Sequence, residues 1–412
     1  MKSPQTLKGF RDFLPAQALK RQWLRDRIVA VFEKWGYDPL ETPTLEPLEL
    51  FAGQIGEDEK LFFKFKDNGN RDVALRYDQT VPTCRVVGQN LASLPMPFRR
   101  YQIQPAFRAE NTQKGRYREF IQCDADIFGS TSPLADAEVI ALSLDIYKQL
   151  GFKNAVALIN DRSLLADLPY TAIVSLDKLS KIGKDGVMQQ MQTKGISAAD
   201  AEKYFEIVGN IQPNDTLKTI FECLKNYGFD EESYKFEPTL ARSFSYSTGA
   251  IWEIIIPEFS SGSVLGGERF DNLVEKTTGQ KIPGTGFGLG FDRTLEAAQQ
   301  LGLVPDLKTK TQVLVTIFSP ELLNKSIELS TKLRMAGVGV ELYPDDRTKL
   351  EKQLKYASAK GIPYVAILGP EEIAKNQVTV KNMSTGEQKI VSASECSFET
   401  LLSRSSAAAA KD

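Results

Sequence analysis

Apolar side chains recur at Leu19, Trp23, Leu24, Ile28, Val31 and Phe32, a spacing that predicts a core-facing helix from Ala16 to Trp35, closed by Gly36. Shorter apolar runs follow. Phe62 to Lys66 and Val73 to Arg76 predict two strands joined by the turn Asp67-Asn68-Gly69-Asn70, and LRYDQT (Leu75 to Thr80) leads into a helix starting near Val81. A hairpin with a long loop spans Phe107 to Phe128: Arg108 and Glu110 share one face of the first strand, Asn111 to Gly115 form the loop, and Arg116 to Phe128 return. A helix from Pro133 to Leu150 and a strand from Asn154 to Asn160 come next, and residues 170–235 are helical and lysine-bearing. Strands resume over Leu240 to Pro257, where the near-continuous apolar run Ala250 to Ile256 predicts a buried strand. GTGFGLGFDRTLEAA (Gly284 to Ala298) reads as a glycine-rich strand entering a helix.

Past the polar linker Leu303 to Lys310, strands and helices alternate: Gln312–Phe318, Glu321–Met335, Val338–Leu342, Lys349–Lys360, Tyr364–Leu368, then a hairpin from Gln377 to Val391. This predicts a small α/β domain with a mostly parallel sheet. A chain of 412 residues is too long for one core. The expected organisation is a first domain over 1–305 with a helical insertion at 170–235, a second domain over 311–403, and a low-complexity, disordered tail over 404–412.

Composition narrows the chemistry. With 51 basic and 53 acidic residues, contacts to nucleic acid must come from local basic patches. No apolar run reaches the roughly eighteen residues of a membrane span, and MKSPQTLKGF lacks an apolar signal core, so no membrane association and a cytoplasmic location are expected. The cysteines Cys84, Cys123, Cys223 and Cys396 are far apart, without a CxxC pair, and read as reduced and structural. Histidine is absent altogether, which removes the usual general base and the usual nitrogen ligand for zinc. No protein metal site is expected.

The candidate chemistry gathers around the hairpin. Arg118, Phe120 and Gln122 share a strand face, and arginines beside one aromatic suit a nucleotide, with guanidinium on phosphate and ring on base. An ordinary solvated hairpin face is the alternative. Asp78 and Thr80 lie where a carboxylate and a hydroxyl can hold an ammonium group, or else cap the helix. Arg293 falls in the first turn of the helix after the glycine-rich strand, and Arg242 and Tyr246 share a face if their segment is a strand.

FRAE, the basic loop and RYREF followed by QCDAD resemble motif 2 of the class II aminoacyl-tRNA synthetases, and more narrowly the histidyl-tRNA synthetase family. The resemblance extends from Lys8 to about Leu402. KGFRDFLP (Lys8 to Pro15) resembles the family's N-terminal signature, ETPTLEP (Glu41 to Pro47) its motif 1, LRYDQT its amino-group site, and GTGFGLGFDR its motif 3. The signature Arg-Gly-Leu-Asp-Tyr-Tyr-Thr-Gly stands here as Arg242 to Gly249, with Ser243, Phe244, Ser245 and Ser247 departing from it. Gly-Gly-Arg-Tyr-Asp is resembled by GGERFD (Gly266 to Asp271), with Phe270 for tyrosine.

The resemblance implies an α/β protein: a class II antiparallel sheet flanked by helices, a helical insertion, and a C-terminal α/β anticodon-binding domain. It implies ATP-dependent activation of L-histidine and transfer to the 3′ end of tRNA(His), with ATP and Mg2+ as cofactors and a homodimer whose interface motif 1 builds. ATP would be held by Arg108, Glu110, Arg116, Arg118, Phe120 and Arg293, and histidine by Asp78, Thr80, Gln122, Asp126, Arg242 and Tyr246. Catalysis would rest on Arg108, Arg242 and Arg293, and Gln113 would meet the tRNA acceptor end. Two other readings are kept beside it: a non-catalytic paralogue that regulates histidine biosynthesis, and an RNA-binding accessory protein; the departures Ser243, Ser245, Ser247 and Phe270 leave room for altered amino-acid choice.

Overall fold

The computed structural model describes residues 4–51, 61–111, 117–242 and 246–392. Gln113, Arg116 and the tail lie outside them. The chain divides into two compact units, one of residues 1–12 and 21–304, the other of 13–20 and 305–412.

The larger unit is built on an eight-stranded sheet. Its strands, in chain order, are β1 (Asp38–Pro39), β5 (Phe98–Phe107), β6 (Glu119–Phe128), β7 (Val156–Asp161), β8 (Tyr234–Phe236), β9 (Ala250–Ile255), β10 (Leu265–Arg269) and β11 (Gly284–Gly290). The spatial order is β1-β5-β6-β11-β10-β9-β7-β8, with parallel pairing only at the two ends. Strands β2 (Leu45–Pro47), β3 (Lys64–Lys66) and β4 (Asp72–Leu75) form a separate antiparallel sheet in the order β2-β4-β3.

One face of the large sheet is covered by helices. Leu24, Ile28, Val31 and Phe32 of α1 (Pro15–Lys34) pack into the same core as Cys123, Ala125 and Ile127 of β6 and Phe287 and Leu289 of β11. A helix from Pro133 to Gln149, α3, is buried along nearly its whole length, and Arg269 holds it through two 3.0 Å bonds from Nε to the Asp136 carboxylate. Burial alone would push Asp136 further up, and even against the Arg269 charge it settles at about 6.

The stretch 170–235 carries four helices with two allegiances. Residues of α4 (Tyr170–Leu176), α5 (Leu179–Thr193) and α6 (Ala198–Asn210) share a core of their own, including Ile173, Val187, Met191 and Val208. By contrast α7 (Asp215–Asn226) sends Leu217, Ile220 and Leu224 into the main core.

Two expectations are corrected. The first hairpin strand ends at Phe107, so Arg108 and Glu110 lie on the irregular backbone beyond it. The strand expected from Leu240 is confined to Ala250–Ile255: Arg242 has φ of +43° and donates its backbone N–H to Asp177 Oδ1 at 2.9 Å, a conformation no strand accommodates.

In the second unit β12 (Val313–Val315), β13 (Val340–Leu342), β14 (Tyr364–Ile367), β15 (Gln377–Asn382) and β16 (Gln388–Ser392) form one sheet in the order β13-β12-β14-β15-β16. Its first three strands are parallel, and the last hairpin adds two antiparallel pairings, so the sheet is mixed rather than mostly parallel. Leu329 and Leu333 of α10 (Leu323–Met335) cover one side; Ala357 of α11 (Leu350–Lys360) packs in a second cluster with Leu314 and Val365.

Candidate active site

Because side chains alternate along a strand, the face of the large sheet opposite α3 collects every second residue. On β5 these are Arg100, Gln102 and Gln104; on β6, Asp126, Asp124 and Gln122; on β11, Gly286, Gly288 and Gly290. Gly266 and Glu268 of β10 continue the face, with Glu253 of β9 beside Gly266. Polar side chains therefore stand on both sides of a column of glycines, and the missing side chains of that column are the cavity. A Cβ on Gly286 would collide with Asp126 Oδ1 and come within 2.5 Å of the Ala125 carbonyl; one on Gly288 would come within 2.7 Å of Gln122 Nε2.

The cavity, about 310 Å³, brings together Asp78, Thr80, Arg108, Phe120, Gln122, Asp126, Arg242, Tyr246, Glu268 and Arg293. Asp126 forms an ion pair with Arg100, and both side chains are buried. Burial raises Asp126 to about 6, against the pull of Arg100. Asp124 is raised well above the carboxylate range by the same cause. Asp78 accepts the Val81 backbone N–H at 3.2 Å, so it caps α2 (Thr80–Gln89) while also facing the cavity, and burial raises it as well.

Arg242 reaches Glu268 at 3.5 Å and Glu253 at 3.7 Å. Burial works against its charge, but these two carboxylates outweigh it and raise its pKa. A Cβ at Gly266 would collide with its Nη1, so glycine there is what admits the guanidinium.

An adjoining cavity of about 260 Å³ is lined by Glu110, Tyr117, Ile121 and Asp292, and shares Arg108, Phe120, Gly290 and Arg293 with the first. The Arg108 guanidinium lies 4.2 Å from the Tyr77 ring centre and 5.1 Å from that of Phe120, which leaves it stacked and oriented. Arg293, in the first turn of α9 (Phe291–Gln300), donates to the Ser263 carbonyl at 2.7 Å. Arg118 donates to the Glu110 carbonyl at 3.1 Å and lines neither cavity. Asp292 accepts from Arg11 at 2.9 Å and Arg21 at 2.5 Å, tying the opening segment to the start of α9.

Sequence reasoning missed Arg100, Asp124, Glu253 and Glu268. The polar alternation Arg100-Gln102-Gln104 is visible in the sequence and marks a strand with a wet or functional face. Glu268 stands between the glycines Gly266-Gly267 and the charged Arg269, where nothing local sets it apart.

An antiparallel sheet whose glycine column floors a polar cavity, with a second cavity adjoining it at Arg108, Phe120 and Arg293, has the fold of a class II aminoacyl-tRNA synthetase. The family model described as "Histidyl-tRNA synthetase" matches residues 9–201 and 187–294, and that described as "Anticodon binding domain" matches 312–400. The chain belongs to the histidyl-tRNA synthetase family. It is 35% identical to the histidine–tRNA ligase of Cytophaga hutchinsonii, over 94% of this chain and 97% of that protein. It is 36% identical to that of Aeropyrum pernix, over 94% and 95%. The solved structure of histidyl-tRNA synthetase from Nostoc sp. PCC 7120 superposes with a TM-score of 0.83 at 27% identity, covering 95% of this chain and 98% of that one.

Proposed function

We propose that the chain is a histidine–tRNA ligase that activates L-histidine with ATP and transfers it to the 3′ end of tRNA(His). The observation that carries the reading is the pair of adjoining cavities with Arg108 and Arg293 at their junction. The acidic cavity takes the amino acid: Asp78 and Thr80 receive its ammonium group, Gln122 and Tyr246 line its path, and Asp126 meets its ring. The second cavity takes ATP, with Phe120 stacked on the adenine, Glu110 at its amino group, and Arg108 and Arg293 on the phosphates. A histidine carboxylate oxygen bonds to the α-phosphorus as the bond to pyrophosphate breaks; a terminal tRNA hydroxyl then takes the acyl group and AMP leaves. No nucleophile from the protein is consumed, and the rate comes from positioning and from cations on the phosphates.

Magnesium fits this arrangement as a companion of ATP. Among the described residues no group of three metal-ligating side chains occurs, and Mg2+ commonly rides on substrate phosphates with few protein ligands. It would supply further charge neutralisation there.

Among the described residues the strand β2 of motif 1 is an edge strand with Leu45 exposed, an edge suited to the homodimer of this reading. Among the described residues no helix is long and apolar enough to cross a membrane. Cys84, Cys123 and Cys223 are unpaired, in keeping with work in the cytoplasm.

Pyrophosphate exchange across the twenty amino acids tests the whole reading: exchange with histidine alone is expected, and none with any amino acid would favour a silent paralogue. Gly286→Ala should raise KM for histidine about tenfold and lower the melting temperature, because the methyl must displace both Asp126 and the Ala125 carbonyl, an overpacking cost of about 1–3 kcal/mol. Unchanged KM would place the amino acid elsewhere. Removing the chain from Gln312 onward should weaken charging of tRNA while sparing adenylate formation, since the larger unit has its own core. Equal loss of both activities would make that domain a structural support instead.

A further inference from the structure

Glu268 is a buried charge on the floor of the amino-acid cavity. It stands in one row with Gly286, Asp126 and Arg100, across β10, β11, β6 and β5. The row places a carboxylate on each side of a glycine. Two strand spacings of about 4.8 Å separate the two backbones, and the Asp126 carboxylate leans over the glycine between them, its Oδ1 standing where a side chain on Gly286 would begin. A flat ring with a donor on each edge, standing in the cavity above Gly286, meets Asp126 on one side and Glu268 on the other.

The carboxylate is fixed in place from behind. One oxygen accepts from the Ser247 hydroxyl, and the other faces Arg242 Nη2 at 3.5 Å. Ser247 is where the family signature carries its second tyrosine, and Arg269-Phe270-Asp271 set the register of Gly-Gly-Arg-Tyr-Asp so that Glu268 falls on a glycine position. A large side chain is thus traded for a small one at 247, a small one for a large one at 268, and the two replacements touch. Each carboxylate oxygen has about two acceptor positions, so both bonds leave Glu268 able to accept from a ligand.

We propose that Glu268 is a specificity-determining residue: with Asp126 it grips the substrate ring from both edges, so that both imidazole nitrogens donate and the ring is held as imidazolium. Asp126 takes one N–H and Glu268 the other. The clamp rests on histidine being the substrate, as proposed above.

The test is pyrophosphate exchange by the full chain with histidine and with the two isomers methylated on one ring nitrogen, for the wild type and for Glu268→Gln. The wild type should use each isomer at least about a hundredfold less well than histidine, because each leaves one carboxylate without a donor. Glu268→Gln should raise KM for histidine about tenfold, change kcat less, and relax discrimination against one isomer only. Either isomer serving the wild type as well as histidine would overturn the clamp. So would a Glu268→Gln variant with unaltered melting temperature and unaltered KM. If that variant does not fold, the wild-type comparison decides alone. Absence of any exchange with histidine would overturn the functional reading along with the clamp, whereas normal exchange with histidine, indifferent to Glu268, would overturn the clamp alone.

Discussion

Pyrophosphate exchange by an Arg242→Ala variant should run about a hundredfold slower than the wild type, the cost of losing one preorganised charge donor to the transition state, about 3 kcal/mol. Glu253 and Glu268 hold the guanidinium at the cavity wall, at distances of 3.7 and 3.5 Å. Removing it leaves Glu268 its bond from the Ser247 hydroxyl, and burial already raises the Glu268 pKa, which eases the loss of the cation. Loss of stability should therefore be limited, and the melting temperature separates the two roles. An unfolded variant would make Arg242 a structural ion-pair partner, and a folded variant with undiminished exchange would remove it from catalysis. Arg242→Lys should recover only part of the rate, since an ammonium keeps the charge but not the fork that spans both carboxylates.

An Asp126→Asn variant should lose on the order of a hundredfold in kcat/KM for histidine at pH 7.5, the value of a hydrogen bond to a charged acceptor. That ratio should shrink toward one below pH 6. Asp126 ionises near 6, so below that pH the wild type presents a neutral carboxyl and behaves as the asparagine variant does, while the substrate's own titration is common to both and cancels. Stability follows the opposite sign. Burial raises Asp126 above its unfolded value, so its contribution to folding is complete below about 4 and is lost as pH rises through 6. A ratio of activities independent of pH from 5 to 8 would show that Asp126 does not face the ring. The complete absence of histidine thus does not leave the neutral range without a titrating side chain.

The parts of this molecule legible in the sequence are those fixed by local spacing. Periodicity located α1, glycine richness located β11, and alternation placed Phe120 and Gln122 on one face, where both line the first cavity. Strand order was not legible, because it depends on partners far apart in sequence. Nothing near Asp126 announces that Arg100 is its neighbour on one side, or that Glu268 lies two strands away on the other. The segment from Leu240 to Gly249 reads as a strand from its alternating residues, yet the bond from the Arg242 backbone to Asp177 belongs to another helix's end and bends it away. Of the tyrosine-to-serine change at 247, the sequence shows the loss, and only the fold shows the carboxylate that meets it.

The glycine column also makes the active site and the hydrophobic core answer to a single register. Moving β11 by one residue against β6 would bring Phe287 and Leu289 out among Asp124 and Asp126, and take glycines into the packing beneath α3. No slip by an odd number of residues can keep the core and lose only the cavity. Misalignment of that kind is therefore opposed by the same apolar burial that stabilises the domain.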